Sequence, residues 1–469
     1  MPPPLLVPFG LNSYRSGSAL SQQRCLNMYA EKQQKGAKTE VSVRSSPGIV
    51  DFATCGHGPI RAVHELNDTM YAVSGAYLYS VTSDGTSTNL GGQIGGGTSR
   101  VSIDDNGDQI VITDGDHGYV YDESIGFRVI NDVDFHPANS NTTMDGFSVF
   151  DRSGANEIFI SDSLDASAYS DFFASAETKS DNVLAVLNNL QLLHIFGQRT
   201  IEFWQNVGAA NFPFRRVPGG VIDRGIAGPR AYGREDNTVY TLGDDRIGYR
   251  IAGMKLEKIT TPPIDEHWQA YESVGDAEVF GYTFEGHKFI VYNVGNETWV
   301  YDISTGLFHE RSSRDIYNNN LGRWRGNCST IAFDKTMVGD RFSGSIGYLD
   351  RTAFTEFDSQ IIGEVVSPPM YFGGVYATMP SLEINLEVGN GVSSGQGEDP
   401  QVILYISDDG GQNFDAVEWA SSGKIGAYRT QVRFGPLGGF YERTMKLRFA
   451  DPVRWTLLNA YAKDLEVGS

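Results

Sequence analysis

Two stretches, GYVYDESIGFRVI from Gly118 and TWVYDISTGLFHE from Thr298, share one order of residues: aromatic, Val, Tyr, Asp, a short turn, Gly, aromatic. Tyr121 and Tyr301 stand 180 residues apart. Imperfect copies lie around Tyr79 and Tyr348, and weaker ones around Ile160, Phe203 and Tyr249. The anchors 79, 121, 160, 203, 249, 301 and 348 are separated by 42, 39, 43, 46, 52 and 47 residues. A four-stranded propeller blade uses roughly 40 to 50 residues, so the spacing predicts a β-propeller of about seven blades.

The phrase has a local physical reason. An Asp at the end of a strand can accept backbone N–H groups of the following turn, and Gly126 or Gly306 can take a positive φ. Each unit also holds an earlier apolar strand, such as DQIVITDG from Asp108, LQLLHIFG from Leu190, TVYTLGDD from Thr238 and HKFIVYNVG from His287. The last is apolar on both faces, as expected of strands covered by neighbouring blades. After about residue 360 the texture changes. Leu382, Ile384, Leu386 and Val388 alternate with Glu383, Asn385 and Glu387, the period-two pattern of half-buried antiparallel strands in a β-sandwich. The expected organisation is all-β: an N-terminal arm over 1–55 that wraps the propeller or a neighbouring subunit, a propeller over 56–360 and a sandwich over 361–469.

A chain of 469 residues exceeds the size at which one core stops growing. Its 58 acids against 37 Lys plus Arg give a net charge of −21, which argues against gripping nucleic acid over most of the surface. No apolar run is long enough to span a bilayer. MPPPLLVPFG lacks the basic region and apolar length of a secretory leader, so synthesis in the cytosol is expected. Cys25, Cys55 and Cys328 are too few and too scattered for a disulfide framework or a CxxC pair.

The search for chemistry returns little. GVSSG at 391–395 fits a nucleophile-elbow string, but Ser393 lies in the loop VGNGVSSGQGEDP and lacks the required strand and helix. DDNGDQIVITDGDHG from Asp104 is acidic, yet it fails the calcium-loop order and reads as hairpin turns. The eight histidines form no zinc pair, and the Gly-rich run 91–97 lacks the Lys of a phosphate loop. SDDGGQNF from Ser407 resembles the Asp-box of sialidase-like propellers, a hairpin turn, in Ser407, Asp409, Gly411 and Phe414. A glycosidase needs two carboxylates at fixed separation, and no pair can be assigned. We therefore expect no catalytic, cofactor-binding or metal residues. The basic residues cluster instead: Arg215, Arg216, Arg224, Arg230 and Arg234 in one segment, and Arg323, Trp324 and Arg325 in another. Inter-blade salt bridges are the plain explanation. A subunit-interface or lumen position is the alternative for Arg215, Arg216, Arg224, Arg230, Arg323, Trp324 and Arg325.

LNMYAEKQ from Leu26, VRSSPGIVDF from Val43, FGQRTIEFWQNVG from Phe196 and GVIDRGIAGP from Gly220, in that order, resemble the tail hub or nozzle proteins of short-tailed bacteriophages, the packaged-DNA stabilisation family. The resemblance implies a propeller-containing subunit of a homo-oligomeric ring, hexameric in relatives, below the portal and its adaptor ring. Such a ring sits in the virion tail, extends the conduit for double-stranded DNA, helps retain the packaged DNA and carries a needle, tail fibre or spike. Weak DNA contact suits a strongly acidic subunit. A glycan-binding or sialidase-like glycan-hydrolysing propeller is the alternative.

Overall fold

The computed structural model describes residues 4–13, 22–56, 58–176, 181–316 and 320–468. Among these, the single α-helix is Pro262–Gln269, and the regular structure is otherwise strand. Five four-stranded antiparallel sheets follow one another along the chain, the first from Ile60–Leu66 to Ser87–Gly92 and the fifth from Tyr232–Glu235 to Lys255–Lys258. A sixth unit, Glu278–Phe284 to Leu307–Arg314, opens a longer sheet. A seventh contains Gly326–Ala332, Lys335–Asp340 and Ser345–Asp350, and its fourth strand is Gly48–Thr54 from the N-terminal region. The first strand of each unit packs beside the first strands of its neighbours, and that of the seventh returns to that of the first. The result is a closed propeller with the first strands at its axis.

All seven anchors lie on the third strand of a unit. In the strand Gly118–Asp122, Asp122 Oδ1 accepts the N–H groups of Ser124 (2.9 Å) and Ile125 (2.9 Å). Asp302 does the same for Ser304 (2.9 Å), and Gly126 and Gly306 take φ of +80° and +75°. Six of the seven inner hairpins share a second device. The pairs Asn67-Asp68, Asp145-Gly146, Leu190-Gln191, Asp236-Asn237, Glu285-Gly286 and Phe333-Asp334 all have two consecutive positive φ values, the turn whose twist matches the strands it joins.

Strand pairing divides the N-terminal segment differently from the expected arm. Leu5–Val7, Met28–Lys32 and Val41–Ser45 join the sandwich sheet built on Thr456–Lys463, while Gly48–Thr54 completes the propeller. Between them, Arg24–Leu26 lies parallel to Leu307–Arg314 of the sixth unit and antiparallel to Gly363–Val366 of the sandwich. One eleven-stranded sheet thus runs from the propeller into the sandwich. Asn27, buried with φ +51°, fixes the junction: its Nδ2 donates to the carbonyls of Ser312 (2.8 Å) and Ile362 (2.9 Å), and its Oδ1 accepts the Ser312 N–H (2.9 Å). Arg24 adds an ion pair to Glu310 (2.8 Å) on the propeller side and approaches Glu364 (3.5 Å) on the sandwich side.

Candidate functional site

Among the inner strands lies an open cavity of about 260 Å3, lined by residues that include Val101, Arg100, Arg230, Tyr232, Phe280 and Cys328. Arg100 and Arg230 each stand just before the inner strand of a unit, the second and the fifth, which brings both to the same end of the axis. Arg230 Nη2 lies 3.5 Å from the Arg100 carbonyl oxygen, and the Arg100 guanidinium lies 5.4 Å from the centre of the Phe280 ring. Among the described residues no carboxylate oxygen lies within 4.0 Å of either guanidinium. Burial, with the charge of Arg100 added to it, pulls the Arg230 pKa below its ordinary value, against smaller opposing effects of Tyr232, Asp151 and Glu278. Neighbouring Arg61 is differently placed. It is wholly buried and donates to the carbonyls of Ser99 (2.6 Å), Gly75 (2.9 Å) and Gly95 (2.5 Å), clamping the first unit to the second.

Toward the other end of the same strands, His64, Asp104 and Asp105 come together, with His64 Nε2 2.6 Å from Asp105 Oδ2. Asp104 Oδ2 accepts the Thr143 N–H (2.9 Å), and Asp105 Oδ1 accepts the Gly107 N–H (2.8 Å). Burial raises the Asp104 pKa. Burial also works against an ionised Asp105, but the His64 hydrogen bond and ring charge outweigh it and hold that carboxyl below its usual range. Both aspartates thus have protein partners that account for their placement.

The arginines singled out in the sequence are dispersed. Arg215 and Arg216 are exposed on Phe214–Ile222, the fourth and outermost strand of its unit, with Arg216 3.6 Å from buried Glu202. Arg224 pairs with Asp244 (3.0 Å) and Asp245 (3.4 Å). Arg234 donates to the Asn188 carbonyl (3.2 Å) in the next unit. Arg323 is paired with Glu278 and donates to Asn327 Oδ1 (2.8 Å). The interface or lumen expectation does not hold for Trp324 and Arg325, because both are buried with partners inside the chain. Trp324 Nε1 donates to Glu356 Oε1 (2.7 Å) under the Arg311 guanidinium, 4.1 Å from the ring centre. Arg325 forms a two-pronged pair with Asp340 (3.0 and 2.7 Å). Sequence reasoning missed Arg61 and Arg100, since a lone Arg at or just before the start of an apolar strand carries no signal of what it faces.

The motifs that hint at chemistry resolve into turns. Asp409 Oδ1 accepts Ser407 Oγ (2.6 Å) and the Gln412 and Asn413 N–H groups (3.0 Å each), closing the hairpin between Gln401–Ser407 and Asp415–Ser421. Ser393 is exposed in a loop with neither strand nor helix beside it. A cavity of about 790 Å3 beside the second unit contains Asp122 and Asp165. Hydrogen bonds from Ser124 and Ser167 in their own turns hold both carboxyls below the usual range, the opposite of what a glycosidase general acid requires. The three cysteines are buried and unpaired.

A family model described as bacteriophage P22 Gp10, beta-propeller, matches residues 5–354, and a second, described as bacteriophage P22 Gp10, beta-sandwich, matches 364–464. The chain belongs to the bacteriophage P22 Gp10 family. As a Gp10-family protein it is a structural component of a phage tail, a propeller followed by a sandwich. No curated protein matches the chain. Solved structures similar to this Gp10-family chain include a streptogramin B lyase (12% identity, 69% of this chain, 98% of that one, TM-score 0.40). The Pan2 WD40 domain of Neurospora crassa is another (9% identity, 66% and 99%, TM-score 0.42). Likenesses this distant carry no argument about activity. No helix among the described residues is long and apolar enough to cross a membrane.

Proposed function

We propose that this chain is the repeating subunit of a tail hub, a homo-oligomeric ring, hexameric as the resemblance implies, that continues the DNA conduit below the portal and its adaptor. The observation that carries the reading is the pair of consecutive Gp10 family matches, which run from residue 5 to residue 464 with one short gap. The ring holds packaged double-stranded DNA after filling and bears a needle, fibre or spike at its far end.

The physical chemistry supports such a role. A net charge of −21 per subunit disfavours tight phosphate contact, which suits a conduit through which DNA must later pass. The strand that joins propeller to sandwich makes one stiff body of the two parts, as a ring subunit under internal DNA pressure needs. Trp419, Tyr428 and Tyr441 of the sandwich are 65%, 74% and 63% exposed, which leaves them available to a neighbouring copy. On this reading Arg215 and Arg216, exposed on an outer strand, meet a neighbouring copy.

Particles assembled without this chain test the reading. They are expected to fill with DNA and then lose it, as measured by nuclease-sensitive DNA after packaging. Stable, DNA-full particles lacking the chain would contradict it.

A further inference from the structure

The well-buried arginines among the described residues have evident partners. Arg61 meets three carbonyls, Arg311 meets Glu356 (2.8 Å), Arg325 meets Asp340 (2.7 Å) and Arg443 meets Asp408 (2.7 Å). Arg100 and Arg230 depart from this pattern although the chain holds 58 acids. Both line the central cavity, no carboxylate of the described residues pairs with either, and the buried Arg100 Nε has no acceptor. Glu278, whose backbone bridges to that of Arg230, has its carboxylate engaged by Arg323. Two half-buried cations facing one cavity repel each other, and the carboxylates of Asp151 and Glu278 attract Arg230 without pairing with it.

We propose that the centre of the propeller is a binding site for one small oxyanion of the phosphate or sulfate type, held between Arg100 and Arg230. A planar guanidinium presents parallel N–H donors that match such an ion, and Tyr232 lines the same cavity. A volume of about 260 Å3 walled by Val101 and Phe280 accommodates a small ion and excludes a duplex. The ion would lock the inner strands of the second and fifth units to one another across the axis.

The test is titration calorimetry and thermal unfolding of the full chain in sodium phosphate against sodium chloride of matched ionic strength. The wild-type chain should show saturable stabilisation by phosphate with one site per chain. Arg100→Met and Arg230→Met should weaken phosphate binding at least tenfold, yet unfold in chloride at a temperature no lower than the wild type, because one of two repelling charges is gone. Should the Met variants fail to fold, Arg230→Lys decides: it keeps the charge but loses the fork, so its affinity should drop while phosphate still stabilises it. No specific phosphate effect on the wild type, or unchanged affinity in the Arg230 variants, would overturn the proposal. A short single-stranded oligonucleotide should fail to displace the phosphate; displacement would overturn the assignment to a small ion.

Discussion

Glu356 is the point at which three distant parts of the chain meet. Its carboxylate accepts from Arg311 Nη2 (2.8 Å) on the sixth unit, Trp324 Nε1 (2.7 Å) ahead of the seventh, and Ser313 Oγ. Arg311 is fully buried, so neutralising its partner leaves a charge without compensation. Glu356→Gln should cost about 3 to 5 kcal/mol in urea unfolding, whereas Arg351→Ala, at an exposed ion pair with Glu285, should cost about 1 kcal/mol or less. Two buried histidines give stability a pH dependence. Burial pushes the His194 pKa down to about 4 and that of His309 to about 3. Both titrate near 6.5 when unfolded, so below that pH the unfolded chain takes up protons that the folded chain refuses, and stability falls progressively toward pH 4 and below. His287 works in the other sense. Its hydrogen bond to Asp302 raises its pKa, so its contribution is complete below pH 6.5 and is lost as pH rises through the folded value. His194→Phe should therefore reduce the loss of stability between pH 7 and pH 4 by about 3 kcal/mol, measured by urea denaturation at each pH.

Among the elements, the short strand Arg24–Leu26 and the residue after it decide whether propeller and sandwich unfold together. Asn27→Ala removes three side-chain hydrogen bonds at a buried, positive-φ position, which should cost about 3 kcal/mol. Scanning calorimetry should then resolve two transitions where the wild-type chain shows one. A single unchanged transition would mean that the junction does not couple the two parts. Elements of this kind also mark the boundary of what sequence reasoning can reach. Tyr121-Asp122 and Tyr301-Asp302 were legible because an Asp, its turn and its Gly are neighbours in the chain, so the chemistry is complete within a few residues. The sandwich alternation from Leu382 was legible for the same reason. Gly48–Thr54 was not, because its partner is Ser345–Asp350, and nothing in a single seven-residue strand states which distant edge it will complete. The two-residue turns at Leu190-Gln191 and Phe333-Asp334 were hidden by residues that rarely take positive φ. The arginine clusters show the same limit: Arg323 and Arg325 are two residues apart, yet one pairs with Glu278 of the sixth unit and the other with Asp340 of the seventh.

For the whole molecule, the propeller is closed by Gly48–Thr54 and spliced to the sandwich, where Leu5–Val7 pairs with Thr456–Lys463. An acidic subunit of this kind, with exposed aromatic residues on the sandwich, makes sense as part of an assembly in which those residues are covered. The most direct measurement is imaging of the purified, assembled chain together with its mass in solution. The expected result is a closed ring of identical copies around a lumen wide enough for duplex DNA, with the sandwich aromatics in contact between neighbours. A chain that stays monomeric at all concentrations, or that closes without a lumen of duplex width, would contradict it.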